Sequence, residues 1–281
     1  MPVASELLTE FVARYPAQPA TAWFRAIEID ELAAAMRDVD GLGLDLGCGD
    51  GILTDILFSR IGKTPTLVGV DPDPLETEAA QSYGFYSRIH TCGGAAIPEG
   101  EGVFDYVFSN SVLEHIPDLE PVIAEVGRVL KPGGKFYFTA PSPGFHANLS
   151  GSLSGRDRTT YLAEVDRRLA HFHYLSELDW GNICERNGLA LDSLKGYVNR
   201  DETRRWETLS RVTGGLLHKL GGETLRPIEI QRALKLRSFQ NKKRLPKPMA
   251  AGLAKAIALG ADNGDTEGEQ SCLLVVGHRR S

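Results

Sequence analysis

The stretch Leu44-Asp45-Leu46-Gly47-Cys48-Gly49-Asp50-Gly51 decides the fold of this chain. Its alternating leucines predict a buried strand, and the three glycines predict a turn that allows left-handed backbone and close approach of a ligand. Apolar residues at helical spacing follow, so a helix is expected to begin near Gly51. Open α/β sheets bind ligands at such turns, although a glycine-rich loop that binds nothing has the same pattern.

A second buried strand, over residues 66–71, ends in the carboxylate of Asp71, 22 residues after Gly49. In nucleoside-binding βαβ units, an acid at the end of the second strand accepts hydrogen bonds from the ribose hydroxyls. Asp71 also fits a simpler role as the cap of the next helix, with Pro72 in its first turn. The two roles are compatible with each other.

Alternating strands and helices continue along the chain and predict a parallel sheet. The predicted strands cover 85–91, 103–110, 135–140, 189–198 and 271–277, and the predicted helices cover 73–84, 121–130, 160–169 and 176–187. The run Lys131-Pro132-Gly133-Gly134 is interpreted as the stop of the helix before the fifth strand. Near the N-terminus we expect two amphipathic helices separated by prolines, the second capped by Thr21.

The pattern of segments predicts a helical lid over 1–40, a core over 41–198, a helical insertion over 199–270 and a final core strand over 271–281. Residues 200–255 hold 14 basic and 5 acidic residues, a net charge of +9. The whole chain carries −6, so the remainder carries −15.

Three interpretations of the basic block at 200–255 stay open. It forms a cap that packs on the core or on the second subunit of a homodimer, it lies on an anionic membrane surface, or it binds an anionic substrate or nucleic acid. The first is favoured. Nucleic acid is the least favoured partner, because the sequence shows no RNA-binding module.

Composition and cysteine spacing indicate an ordinary globular protein. The hydrophobic fraction of 42% suits a sizeable core. We expect no transmembrane helix and no signal peptide, since neither pattern is present. None of the four cysteines forms a CxxC pair, so neither a metal site nor a disulfide framework is predicted. The expected location is cytoplasmic, and the membrane interpretation would place the protein at the inner face of the membrane.

Four segments together resemble class I S-adenosylmethionine-dependent methyltransferases, within the small-molecule group that has an LEHxPD segment after strand four. They are LDLGCGDG at 44–51, VGVDPDP at 68–74, FDYVFSNSVLEHIPD at 104–118 and EVGRVLKPGGKFYFTAPSP at 125–143. The resemblance implies a Rossmann-like sheet of seven strands in the order 3-2-1-4-5-7-6, with strand seven antiparallel. It also implies S-adenosylmethionine as the cofactor.

The resemblance further implies which residues bind the cofactor. These are Asp45, Gly47, Cys48, Gly49, Gly51, Asp71, Pro72, Gly94, Ala95, Asn110 and Ser111. The glycines of the turn would lie against the methionine part, Asp45 would anchor its ammonium group, and Asp71 would bind both ribose hydroxyls. Backbone near Gly94 would contact adenine, while Asn110 and Ser111 would flank the methionine moiety.

Two positions depart from expected patterns. Ile52 stands where a dinucleotide-binding GxGxxG fingerprint needs its third glycine, which disfavours a dehydrogenase. Gly93 stands where related methyltransferases often have an aspartate near the adenine amino group. Adenine recognition is therefore expected to depend on backbone groups.

Histidines are the candidate general bases, because a hydroxyl acceptor must lose a proton and histidine can take it near neutral pH. His115 follows strand four, where the resemblance places it beside the transferable methyl, and His146 follows strand five. We interpret one of these two as assisting deprotonation, with His171 and His173 as weaker candidates. Each histidine is also compatible with a structural role.

The expected function is methyl transfer, by in-line displacement, to a small-molecule, sugar or lipid-linked glycan acceptor, with oxygen as the favoured acceptor atom. Two alternatives stay open. One is a non-catalytic scaffold with the same fold, and the other is an RNA or protein methyltransferase. The three glycines, Asp45, Asp71 and His115 argue against the scaffold.

Overall fold

The computed structural model describes residues 5–16, 18–153, 155–212, 244–259 and 268–281. The chain divides into two compact units. Unit 1 is built from Met1–Glu28, Pro143–Phe172 and Tyr197–Ser271, and unit 2 from Ile29–Ser142, His173–Gly196 and Cys272–Ser281. The division into lid, core, cap and final strand stays a prediction, as do the partners of the basic block, because 213–243 and 260–267 lie outside the described residues.

A seven-stranded sheet is the central feature of unit 2. Its strands are β1 (Leu42–Leu46), β2 (Thr66–Asp71), β3 (Tyr86–Thr91), β4 (Phe104–Asn110), β5 (Leu130–Pro141), β6 (Leu189–Tyr197) and β7 (Cys272–Arg279). The order is β3-β2-β1-β4-β5-β7-β6. The pairs from β3 to β5 are parallel, and β7 is antiparallel to β5. The predicted fold, including strand order and the direction of strand seven, is confirmed.

The described helices are α1 (Ser5–Arg14), α2 (Pro19–Ala35), α3 (Ile52–Ile61), α4 (Pro74–Ala80), α5 (Glu120–Val129), α6 (Gly144–Asn148), α7 (Arg158–Leu169), α8 (Glu177–Arg186), α9 (Arg200–Ser210) and α10 (Lys247–Ala258). A short 3-10 helix covers Leu113–His115. Buried side chains of the strands, such as Val107 and Phe138, pack with α5 and with Trp180 of α8. This core holds the carboxyl ends of β1, β2 and β4 in fixed positions.

Three local predictions are wrong in their boundaries. Helix α2 begins at Pro19, so Thr21 lies inside the helix and does not cap it. Proline is well suited to the first helical turn, because it needs no hydrogen-bonded N–H there. Helix α4 ends at Ala80, several residues before Gly84.

The run at 131–134 is the third of these errors, since it belongs to β5 and does not precede it. The pairing of β5 with β4 shifts from Phe104↔Leu130 to Tyr106↔Lys135, which marks an irregularity that holds the extra residues. Proline is tolerated at such interruptions of the ladder, where its missing N–H breaks no bond.

Unit 1 is helical in its described part. Helix α1 packs against α10, and the backbone N–H of Leu245 donates to the carbonyl of Ala13 (2.9 Å). Trp23 is buried and its indole N–H donates to the carbonyl of Glu202, so it is a core residue of unit 1. None of the helices in the described ranges has the length and apolarity that crossing a bilayer requires.

Candidate functional site

The glycine turn between β1 and α3 forms the base of the site. The N–H groups of Gly47 and Cys48 donate to the carbonyl of Val70, at 2.7 and 3.0 Å, which ties the turn to the end of β2. Gly47 has φ 84°, and a Cβ there would lie 2.3 Å from Val112 Cγ2. Gly49 has φ 51° and nothing within 4 Å of the position of a Cβ. Val112 therefore covers the turn at Gly47, whereas the turn has open space beside Gly49.

Asp71 is joined to this turn by a hydrogen bond. Its Oδ2 accepts from the N–H of Gly49 (3.1 Å), and its Oδ1 accepts from the N–H of Asp73 (2.9 Å). The cap of α4 is Asp73, whose side chain accepts from Leu75 N–H, so the interpretation of Asp71 as that cap is wrong. Asp71 is thus held by backbone N–H groups at the end of β2.

Asp45 is buried at the end of β1. Thr54 Oγ1 and Tyr86 Oη both donate to its Oδ2, each at 2.5 Å, and the described residues form no hydrogen bond with its Oδ1. Burial, with a smaller contribution from the charge of Asp71, raises the pKa of Asp45 to about 6, although its two hydrogen bonds lower that pKa. A buried carboxylate with one oxygen available in this way is suited to bind a cation.

Tyr86 and Thr54 are site residues that the sequence analysis missed. Tyr86 lies on β3, two strands away from Asp45, and its ring crosses β2 above Gly69, where a Cβ would lie 3.1 Å from the ring. Burial and the charge of Asp45 raise the pKa of the Tyr86 phenol, which keeps it a neutral donor. The available signal was Gly69 itself, because a glycine within a strand often marks close approach of another group.

The end of β4 forms the next side of the site. Asn110 Nδ2 donates to Thr139 Oγ1 (3.0 Å), and Ser111 N–H donates to the Thr139 carbonyl (3.1 Å). Ser111 has φ 48°, a left-handed conformation that is unusual for a residue other than glycine. Backbone strain of this kind is often found at functional sites.

The loop over 92–99 is fastened beside the same edge. Cys92 N–H donates to the Asp71 carbonyl (3.1 Å), and a Cβ on Gly94 would lie 2.9 Å from Leu46 Cδ1. Glu125 accepts from Ile97 N–H at 2.7 Å. Nothing lies within 4 Å of a Cβ built on Gly93, so this position is open. The loop is thus held in place through its backbone.

The two candidate bases have different surroundings. His115 closes the 3-10 helix after β4, and its Nε2 lies 3.9 Å from Glu114 Oε1, too far for a hydrogen bond. His146 lies on α6 of unit 1, five residues after the last residue of β5. Its Nε2 is 2.7 Å from Asp166 Oδ1 on α7, so a carboxylate fixes the orientation of the imidazole. The sequence analysis did not identify Asp166.

Unit 2 thus brings together most of the predicted residues. They lie at and beside the carboxyl ends of β1, β2 and β4. The strand ends carry the residues of the turn, Asp45, Asp71, Pro72, Asn110 and Ser111. The adjoining loop carries Gly94 and Ala95, and His115 follows β4 closely. Ligands of open α/β sheets bind at this edge. The site offers one buried carboxylate, one carboxylate at a strand end and a turn rich in exposed backbone. His146 and Asp166 belong to unit 1.

Comparison with known proteins gives the family. A family model described as a methyltransferase domain matches residues 20–194. Ubiquinone biosynthesis O-methyltransferase of Nitrosococcus oceani is 29% identical over 167 residues, covering 58% of this chain and 69% of that protein. The mitochondrial ubiquinone biosynthesis O-methyltransferase of Mus musculus is 30% identical over 173 residues, covering 58% of this chain and 45% of that protein.

A solved structure adds evidence on the fold. Geranyl diphosphate C-methyltransferase from Streptomyces coelicolor, in complex with Mg²⁺, geranyl diphosphate and S-adenosyl-L-homocysteine, has a TM-score of 0.52 and 14% identity, covering 93% of this chain and 84% of that one. The glycine turn and both carboxylates lie inside the range matched by the family model. The chain belongs to the methyltransferase domain family, and S-adenosylmethionine is its cofactor.

Proposed function

We propose that this protein transfers the methyl group of S-adenosylmethionine to a hydroxyl oxygen of a small molecule. The arrangement of Asp45, the glycine turn and Asp71 at one sheet edge carries this proposal. Oxygen as the acceptor atom is supported by the names of the two relatives, both O-methyltransferases. Sugars and lipid-linked glycans stay within the proposed acceptor class, since they also present hydroxyls.

The described residues fit the polar parts of the cofactor. Oδ1 of Asp45, which accepts no hydrogen bond from the described residues, would accept the ammonium group. Asp71 would accept both ribose hydroxyls while keeping its bonds to the backbone of Gly49 and Asp73. The open side of the turn at Gly49 leaves room for the methionine part. Both carboxylates would then serve the cofactor directly.

In the proposed mechanism the bound sulfonium supplies an activated methyl group for in-line displacement. The protein holds the acceptor in line and takes up the proton of its hydroxyl. We assign the proton transfer to His146, because Asp166 holds its ring at 2.7 Å. His115, which closes the 3-10 helix after β4, is the other candidate for this step.

Methyl transfer itself tests the proposal. The full chain is incubated with isotopically labelled S-adenosylmethionine and a library of phenols, alcohols and sugars, and products are identified by mass spectrometry and NMR. We expect label in an O-methyl group, and calorimetry should show binding of both the cofactor and S-adenosylhomocysteine. Binding of neither would support the scaffold alternative, and a methylated carbon or labelled RNA would contradict the proposed acceptor.

The raised pKa of Asp45 predicts how cofactor affinity depends on pH. The carboxyl group must be ionised to pair with the ammonium, and its pKa is about 6. Affinity for S-adenosylhomocysteine is therefore expected to be constant above this pH and to fall about tenfold for each pH unit below it. Calorimetry between about pH 5 and about pH 7.5 measures the effect.

Two variants serve as controls for this pH dependence. Asp45→Asn should bind weakly with no pH dependence in this range, since the titrating group is gone. Asp50→Asn removes a carboxylate of the same turn, which accepts from the nearby N–H of Ile52 (3.1 Å), and it should keep the wild-type dependence. Equal wild-type affinity at both ends of the range would refute the assignment of Asp45.

A further inference from the structure

Arg168, in the last turn of α7, is a half-buried cation within unit 1. Its Nε is buried, and no atom of the described residues accepts a hydrogen bond from it. Burial lowers the pKa of its guanidinium. Arginine nevertheless keeps its proton in proteins, so the buried group retains a charge and donors that need an acceptor.

The two carboxylates that act on the charge of Arg168, Glu207 and Glu164, both have other partners in the described part of unit 1. The buried Glu207 accepts from the N–H groups of Ser150 (2.8 Å) and Gly151 (3.4 Å) and from the hydroxyl of Tyr161. It also accepts from Arg211 at 2.8 Å. The carboxylate is therefore occupied by four donors before Arg168 is considered.

The other nearby carboxylate, Glu164, forms an ion pair with Arg156. The net charge of this pair is zero. Three charged groups then remain around Arg168: its own guanidinium, the guanidinium of Arg211 and the carboxylate of Glu207. Within the described residues, this cluster carries one unit of surplus positive charge, which matches one anionic group.

We propose that Arg168 binds a carboxylate or phosphate group of a small-molecule ligand. The planar guanidinium offers parallel N–H donors that match the oxygens of either group. Arg168 lies in the segment between β5 and β6, which also carries His146 and Asp166, two residues assigned above to proton transfer. This binding of an anion does not depend on the proposed function.

Anion binding by the full chain tests the assignment. Calorimetry at constant ionic strength uses inorganic phosphate and, separately, benzoate, and the tighter of the two identifies the phosphate or the carboxylate class. Arg168→Gln should weaken binding of that anion at least about tenfold, since it removes a charge-assisted bidentate pair. Arg167→Gln, an exposed neighbour on the same helix with the same change of charge, should stay within about twofold of the wild type.

Equal binding by Arg168→Gln and the wild type, or an equal loss in Arg167→Gln, would overturn the proposal. Both variants should bind S-adenosylhomocysteine as the wild type does. If the wild type itself does not bind S-adenosylhomocysteine, the proposed function is contradicted. The comparison of phosphate binding between Arg168→Gln and the wild type would still decide the role of Arg168.

Thermal unfolding gives a second measurement. Arg168→Met removes a charge whose buried Nε has no acceptor among the described residues, so the Tm in the absence of anions should stay the same or rise. Phosphate should raise the Tm of the wild type and leave that of Arg168→Met unchanged. A Tm that falls by several degrees in Arg168→Met would show that an acidic side chain of the chain itself satisfies Arg168, and the proposal would be wrong.

Discussion

Asp71→Ala is expected to weaken the binding of S-adenosylhomocysteine by about 100- to 1,000-fold. The proposed role of Asp71 is to accept hydrogen bonds from both ribose hydroxyls. Each hydrogen bond to a charged group contributes about 1.5–3 kcal/mol, so the loss of two reaches this range. The same change releases the N–H of Gly49 from Oδ2, which loosens the turn at its open position.

Calorimetry measures the loss, and circular dichroism with thermal unfolding shows whether the variant is folded. Asp71→Asn should lie between the wild type and Asp71→Ala, because its amide oxygen still accepts one bond. The matched control is Asp73→Ala, which removes a carboxylate two residues away. Asp73 caps α4, so its loss should lower the stability by about 1 kcal/mol and leave affinity within about threefold. A folded Asp71→Ala with wild-type affinity would exclude the ribose role.

The part of the site that depends on local sequence could be predicted. The turn at 47–51 follows from glycine spacing between an apolar strand and a helix, and Asp71 follows from its place at the end of a second strand. Right-handed crossovers then bring the carboxyl ends of β1, β2 and β4 to one edge. No knowledge of side-chain contacts was needed, because backbone topology alone places these residues together.

The interactions that tune the site could not be predicted, because they join residues that are distant in the chain. Tyr86 lies 41 positions after Asp45 in the sequence and reaches it across β2, above Gly69. The pKa of about 6 for Asp45 results from burial and these partners, neither of which leaves a local pattern. The displaced boundary at 131–134 has a similar cause, since strand pairing with β4 overrides the preference of a proline-glycine run for a turn.

The residues proposed for proton transfer and for anion binding were less predictable for a related reason. The cofactor site uses strand ends and backbone, which recur in every doubly wound sheet. His146, Asp166 and Arg168 instead lie on α6 and α7, in the irregular segment after β5. Helix periodicity predicts α7 itself, but it does not tell which of its polar residues face a histidine and which face solvent.

His146→Gln is expected to lower kcat for methyl transfer by about 100- to 1,000-fold, with little change in affinity for the cofactor. A positioned general base contributes about this much to the rate of a proton transfer. The measurement is kcat of the wild type and of His146→Gln, together with the KM of each for S-adenosylmethionine.

Asp166→Asn tests the role of Asp166 as a positioning residue. The amide can still contact Nε2 of His146 but no longer supplies the charge that stabilises the protonated ring. The expected loss is about tenfold in kcat, with the KM for the cofactor unchanged, whereas a merely structural role would lower the Tm and leave the kcat of the folded enzyme intact.

The chain offers a matched pair for comparison. His278 on β7 lies 2.8 Å from Asp192, and it pairs in the sheet with Lys135, away from the carboxyl end of β5. His278→Gln and Asp192→Asn remove the same groups from a similar histidine–aspartate pair, and both should keep kcat within about twofold, since they lie away from the strand ends that bind ligands. Near wild-type turnover in His146→Gln, combined with a large loss in His115→Gln, would transfer the role of general base to His115.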